Sequence, residues 1–282
     1  MRKFVLVPLA IFLFIAMQVP PGHEHGGPVL FLAQAAGAKT VPPSGSAGTA
    51  TGAFLVDPQR HTMSFDLTYH GLEHGGPRLI ALHNFGPGRN GERVHAICGA
   101  GASACPEGAA GNVSGTWEGI DNKLLFEIAN SRLYVQIDGG DGKPELRAQL
   151  EPNSAMTPVR NFAAHLTPMA GAESRGVGTA VLSEVHFGDG RVQVFYQLTV
   201  ANTKGEPRSA ELRAAEPAVL PGARLLKSHA PESGGTLTGS FELPRGGNQS
   251  LLASSRETES TIVVTTAGFP KGELAGLLKP VN

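Results

Sequence analysis

Residues 134–152 read YVQIDGGDGKPELRAQLEP, and residues 262–280 read IVVTTAGFPKGELAGLLKP. Placing Glu145 on Glu273 gives an offset of 128. Two more matches keep the same order. GNVSGTWEG (111–119) lies on GTLTGSFEL (235–243), and TMSFDLTY (62–69) lies on RVQVFYQL (191–198), with offsets of 124 and 129. Offsets that drift by a few residues are what a duplicated unit shows after changes in its turns. A period this long means two globular domains and excludes a solenoid of small units.

The local patterns make both units β. Met63, Phe65, Leu67 and Tyr69 alternate with polar partners, as do Val192, Val194, Tyr196 and Leu198 on the equivalent face. Period two is the mark of a half-buried strand. Further short strands are expected at 78–83, 92–97, 133–137 and 146–150, with Gly- and Pro-rich turns between them. KLLFEIA (123–129) predicts one short helix, paired with a weaker one near 249–255. The fold class expected is all-β: two tandem antiparallel Greek-key β-sandwich domains after an N-terminal signal or anchor segment.

The 282 residues suit two ordinary domains. A net charge of −1 gives no field for nucleic acid or for electrostatic membrane docking. Met1-Arg2-Lys3 followed by the uncharged apolar run 4–19 reads as a signal peptide, with cleavage expected after Ala35. The alternative is an uncleaved anchor at 4–19, which is the only route by which the chain would touch a membrane. The domain limits expected are a signal at 1–35, a linker at 36–46, sandwich one at 47–152, a linker at 153–175 and sandwich two at 176–282. This places the protein in a secreted or periplasmic setting. There the only two cysteines, Cys98 and Cys105, are expected to bridge. Closing so short a loop contributes about 2–3 kcal/mol in the chain-entropy account.

The motif order resembles the CHRD domain, named after chordin and widespread in bacterial secreted proteins. The first unit offers LHNFGPG (82–88), SGT (114–116), YVQID (134–138) and PELRAQL (144–150). The second, more degenerate, offers LRAAEPA (212–218), TGS (238–240), IVVTT (262–266) and GELAGLL (272–278). The resemblance spans 47–152 and 176–280. It implies a sandwich with a His-x-His strand, distantly similar to copper/zinc superoxide dismutase, in which such a pair and a later strand histidine gather copper. His83 fits the first histidine. Phe85 and Asp138 occupy the other two places, and Arg213, Ala215 and Thr266 stand there in the second unit.

The metal set on offer is therefore His83, with His70, His74 and Asp138. The simpler reading, histidines scattered over strands and loops, is preferred. Asp138, Asp141 and Glu145 surround a glycine turn without EF-hand spacing. No Gly-x-Ser-x-Gly elbow or dinucleotide fingerprint occurs. No catalytic or cofactor-binding residues are assigned, and no cofactor is expected, with copper or zinc as the alternative. The function expected is a non-catalytic binding or structural protein, its partner an extracellular or envelope protein or polysaccharide. The alternative is a metal-dependent redox enzyme or metal-binding protein.

Overall fold

The computed structural model describes residues 27–152, 159–187, 190–213, 218–219, 224–226, 233–243 and 260–281. The apolar segment 4–19, the junction 153–158 and the weaker helix near 249–255 lie outside the described residues.

The first domain contains β1 (Val29–Ala36), β2 (Thr49–Asp57), β3 (Thr62–His70), β4 (Leu79–Asn84) and β5 (Arg93–Cys98). It continues with β6 (Gly111–Glu118), α1 (Asn122–Ala129), β7 (Leu133–Asp138), β8 (Pro144–Gln149) and β9 (Glu151–Pro152). The second contains β10 (Val159–Pro168), β11 (Val177–His186), β12 (Val192–Ala201), β13 (Pro207–Arg213) and β14 (Ala218–Val219). After these come β15 (Arg224–Leu226), β16 (Gly234–Glu242), β17 (Thr261–Thr266), β18 (Leu274–Leu277) and β19 (Lys279–Pro280).

The first sheet runs β5-β4-β7-β8-β1-β2-β3-β6, and the second runs β14-β13-β17-β18-β10-β11-β12-β16-β15. Strand for strand the orders agree, with β15 added at one edge. Each sheet curls on itself so that inward side chains from both halves share one core. In domain 1 this core holds Phe54, Met63, Leu67, Ile80, Leu82, Val135 and Leu146, and α1 adds Ile128. The helix starts where expected because the Asp121 side chain accepts the Leu124 N–H at 2.7 Å. Cys98 and Cys105 are bonded, closing the loop after β5.

Two expected boundaries are corrected. Residues 29–36 form β1, in the middle of the sheet. It pairs with β2 from Val29↔Val56 to Ala36↔Thr49 and puts Phe31, Ala33 and Ala35 into the core. Cleavage after Ala35 would remove a central strand, so domain 1 begins near residue 29, not 47. Similarly, 153–175 is not a linker throughout. It contains β10, which pairs with β11 and buries Phe162, Ala164 and Leu166.

Register also refines the repeat. Thr51 lies opposite Thr68, and Thr179 opposite Thr199, so β3 maps onto β12 with offset 199 − 68 = 131 rather than 129. The difference is even, so the expected faces hold. In β7 the offset is 264 − 137 = 127 rather than 128, because Ile137↔Leu146 and Val264↔Leu274 are the equivalent inward pairs. That single step moves every side chain of the strand to the opposite face.

The domains pack through β2 and β3 against β11 and β12. A small apolar cluster, Leu30, Ala53 and Val181, lies in this contact. Beside it runs a line of buried threonines: Thr51–Thr199 at 2.7 Å, Thr68–Thr179 at 2.8 Å and Thr199–Thr236 at 2.8 Å. Thr51 is the counterpart of Thr179, and Thr68 of Thr199. The first two contacts are therefore one contact seen twice about a pseudo-two-fold axis, the signature of an isologous interface. Asp66 meets His165 across the same boundary at 3.2 Å.

Candidate functional site

The outward face of β4, β7 and β8 carries a connected polar group. Alternation puts Ile80, Leu82, Val135, Ile137, Leu146 and Ala148 inside and leaves His83, Tyr134, Gln136, Asp138, Arg147 and Gln149 on the other face. His83 stacks on Tyr134 with ring centroids 5.1 Å apart, and the Arg147 guanidinium lies 3.6 Å from the Tyr134 ring centre. Arg147 is only 2 % exposed. Its donors go to neutral acceptors on the 85–91 loop: Arg89 O at 2.8 Å, Gly86 O at 3.2 Å and Asn90 Oδ1 at 3.3 Å. Burial lowers the guanidinium's proton affinity. The Gly91 N–H donates to Tyr134 Oη at 3.0 Å, and the Gln149 amide donates to Phe85 O at 2.9 Å. The loop is thus clamped from beneath. Phe85 remains 45 % exposed at its tip, with Arg89 near its ring.

Burial pushes His83 below the ordinary imidazole value, opposed by its 3.3 Å contact with Gly91 O. Burial raises the Asp138 carboxyl, opposed by the Gln136 amide, which donates to Oδ1 at 2.8 Å.

The other expected ligands sit elsewhere. His70 is buried at the domain contact, beside Gly234. His74 faces Glu145, with Nδ1 3.5 Å from Oε2. Asp141 accepts the Lys143 N–H at 3.0 Å in the turn after β7, a bond that lowers its carboxyl value. Among the described residues no three His, Cys, Asp or Glu side chains are grouped to hold a metal ion.

Glu145 and Glu273, the equivalent pair of the repeat, are both buried, at 2 % and 0 % exposure: Glu145 on β8, inside its sheet, and Glu273 immediately before the matching β18. Ser46 Oγ and the Glu73 N–H donate to Glu145 Oε1. Ser174 Oγ and the Lys204 N–H donate to Glu273 Oε1. The donors match in pairs: each serine precedes a glycine by two residues, and each N–H follows a left-handed residue, Gly71 (φ +75°) or Asn202 (φ +56°). The recurring GSAG (45–48) and ESRG (173–176) were the signal that could have revealed these anchors.

Residues 31–150 match the CHRD domain family. That stretch is the first domain, from early in β1 to the end of β8. It includes most of β1, which the expected cleavage after Ala35 would remove. The CHRD match does not extend to the second domain, although its strand order is the same. No curated protein and no solved structure matches the chain. No helix among the described residues is long and apolar enough to cross a membrane.

Proposed function

We propose that the chain is an exported, non-catalytic binding or structural protein, acting in a secreted or periplasmic setting through a CHRD domain and a degenerate second copy. The observation that carries this reading is the clamp beneath the 85–91 loop. A buried guanidinium gives its hydrogen bonds to two backbone carbonyls and the Asn90 side chain of the loop, and the result is a held loop with an exposed aromatic and an arginine. Exposed aromatic and arginine side chains on a fixed loop are characteristic of partner contact. The partner class is an extracellular or envelope protein or polysaccharide.

The alternative, a copper- or zinc-dependent redox or metal-binding protein, draws support from His83 Nε2. It is buried without a hydrogen-bond partner among the described residues, on the face that also carries Asp138. Elemental analysis of untagged protein separates the two. Substoichiometric metal, unchanged in His83→Ala, is expected. Near-stoichiometric copper or zinc that disappears with His83 overturns the proposal. Retention on immobilised envelope polysaccharide or protein fractions should fall in Phe85→Ala with the fold unchanged.

A further inference from the structure

The pseudo-two-fold axis creates two clefts between the domains, each the counterpart of the other, and they are not alike. β3 maps onto β12 with an offset of 131, so Phe195 stands in one cleft where Ser64 stands in the other. Ala35 faces Ala50 and Leu166 faces Gly178, so β1 maps onto β10 with offset 166 − 35 = 131, and Leu32 answers Ala163. On one side Leu32 and Phe195 fill the space, leaving about 100 Å³. On the other, Ala163 and Ser64 leave about 580 Å³, lined by Leu30, Ala53, Leu55, Leu277 and Val281. The flanks differ too. Glu151 lies opposite Leu32 and Lys279 opposite Ala163, while Gln149 answers Leu277. The closed cleft is flanked by polar and acidic side chains, the open one by an apolar and a basic side chain.

We propose that the open cleft binds a single-chain amphiphile, with its alkyl or acyl chain along the apolar wall and an anionic head group at Lys279. The volume falls within the roughly 300–1,000 Å³ of small-molecule sites, which are mostly apolar, carry few polar groups and favour domain boundaries. Apolar side chains that face water in a cleft gain when a chain covers them. The polar side chains place the head. Asp66 is engaged already, by His165 at 3.2 Å and by the Asn112 amide at 2.6 Å, and its charge repels an anion from that wall. Lys279 is exposed and pairs with no carboxylate among the described residues. A lysine beside an apolar wall favours a ligand that joins a chain to a negative charge. The closed counterpart shows that two such sandwiches can meet without leaving this space, so the opening comes from the residues chosen at 64 and 163.

This inference goes beyond the loop-mediated reading above and is independent of it, since the 85–91 loop lies on the face that points away from the domain contact. Full-length protein is titrated with cis-parinaric acid, whose fluorescence rises in apolar surroundings. The probe is then displaced with dodecanoate, a lyso-phosphatidylglycerol of the same chain length, dodecanol and trileucine. Saturable binding is expected, displaced by at least one anionic amphiphile at lower concentration than by dodecanol. The stronger of the two distinguishes a fatty acid from a phospholipid. Ser64→Phe, which installs the side chain of the closed cleft at an exposed position, should weaken probe binding about tenfold with the unfolding midpoint unchanged. Ala163→Leu should act in the same way. Lys279→Glu should weaken the anionic ligands about tenfold, the equivalent of about 1.4 kcal/mol, and leave dodecanol unchanged. The proposal fails if the probe does not saturate, if folded Ser64→Phe and Ala163→Leu bind like the parent, if dodecanol displaces as well as the anions, or if Lys279→Glu changes nothing. Displacement by trileucine at lower concentration than by either amphiphile also overturns it, because the occupant is then a peptide.

Discussion

The two domains share a strand order and a buried glutamate, yet they differ on the face that points away from their contact. Domain 1 has His83, Tyr134 and Arg147 there. By strand register, domain 2 has Arg213, Thr261 and Ala275. The stacked ring and the guanidinium clamp are gone, and Arg213 turns to Glu211 at 3.1 Å. Inward positions and turn anchors maintain the fold in both copies, while the outward face is free to diverge. The difference teaches that the clamp belongs to the loop of domain 1 and is dispensable for the sandwich.

The shared glutamate gives the largest test of this comparison. Glu273→Ala removes the acceptor for Ser174, Thr266 and the Lys204 N–H together. A loss of about 3 kcal/mol is expected in urea unfolding, as buried donors lose their partner. Glu145→Ala should cost about 2 kcal/mol, since fewer donors depend on it. Equal losses would show that Glu145 Oε2 is as fully engaged as its counterpart. The outward face comes next. Arg147→Met should cost about 2 kcal/mol by leaving three loop acceptors unpaired. Amide exchange should speed up across 85–91 while domain 2 stays protected. Protection lost evenly over both domains would contradict a local clamp.

The contact between the copies gives a smaller effect. Thr199→Val should cost about 1 kcal/mol, because Thr199 meets both Thr51 and Thr236. If the pseudo-two-fold axis is energetic as well as geometric, Thr68→Val should cost a similar amount. The smallest effect is the pH dependence of Asp66–His165. The hydrogen bond that His165 donates to the Asp66 carboxylate raises His165 above its ordinary value. A raised imidazole stabilises the fold fully below the unfolded value of about 6.5 and loses that contribution as pH rises through the folded one. With the pair 43 % and 21 % exposed, about 0.5 kcal/mol should disappear across that window. Asp66→Asn should flatten the change.

Much of this architecture was legible because strands that are half buried alternate. The repeat, the helix at 122–129 and the cysteine bridge all followed from local pattern. β1 was not legible, because VLFLAQAA continues the apolar character of residues 4–19 and ends in small residues that mimic a cleavage site. In β10, Phe162, Ala164 and Leu166 do alternate, but they lie between prolines and glycines that suggested a linker. The role of Glu145 escaped because its donors are a serine about a hundred residues earlier and a backbone N–H, neither marked by charge. The candidate metal set came from the resemblance and from residue type, and the fold separates its members: His70 at the domain contact, His74 in the loop before β4 against Glu145, and His83 with Asp138 on the outward face.

Each copy begins and ends on neighbouring strands. Phe31 lies opposite Pro152, and Phe162 opposite Pro280. A unit built this way can be added to a chain without any existing strand changing its neighbours. The hydroxyl-lined faces, however, are self-complementary, and each is already taken by the other copy. Tandem growth is therefore topologically free but limited by valence: a third copy could be threaded onto the chain, yet it would find no matching face left to occupy.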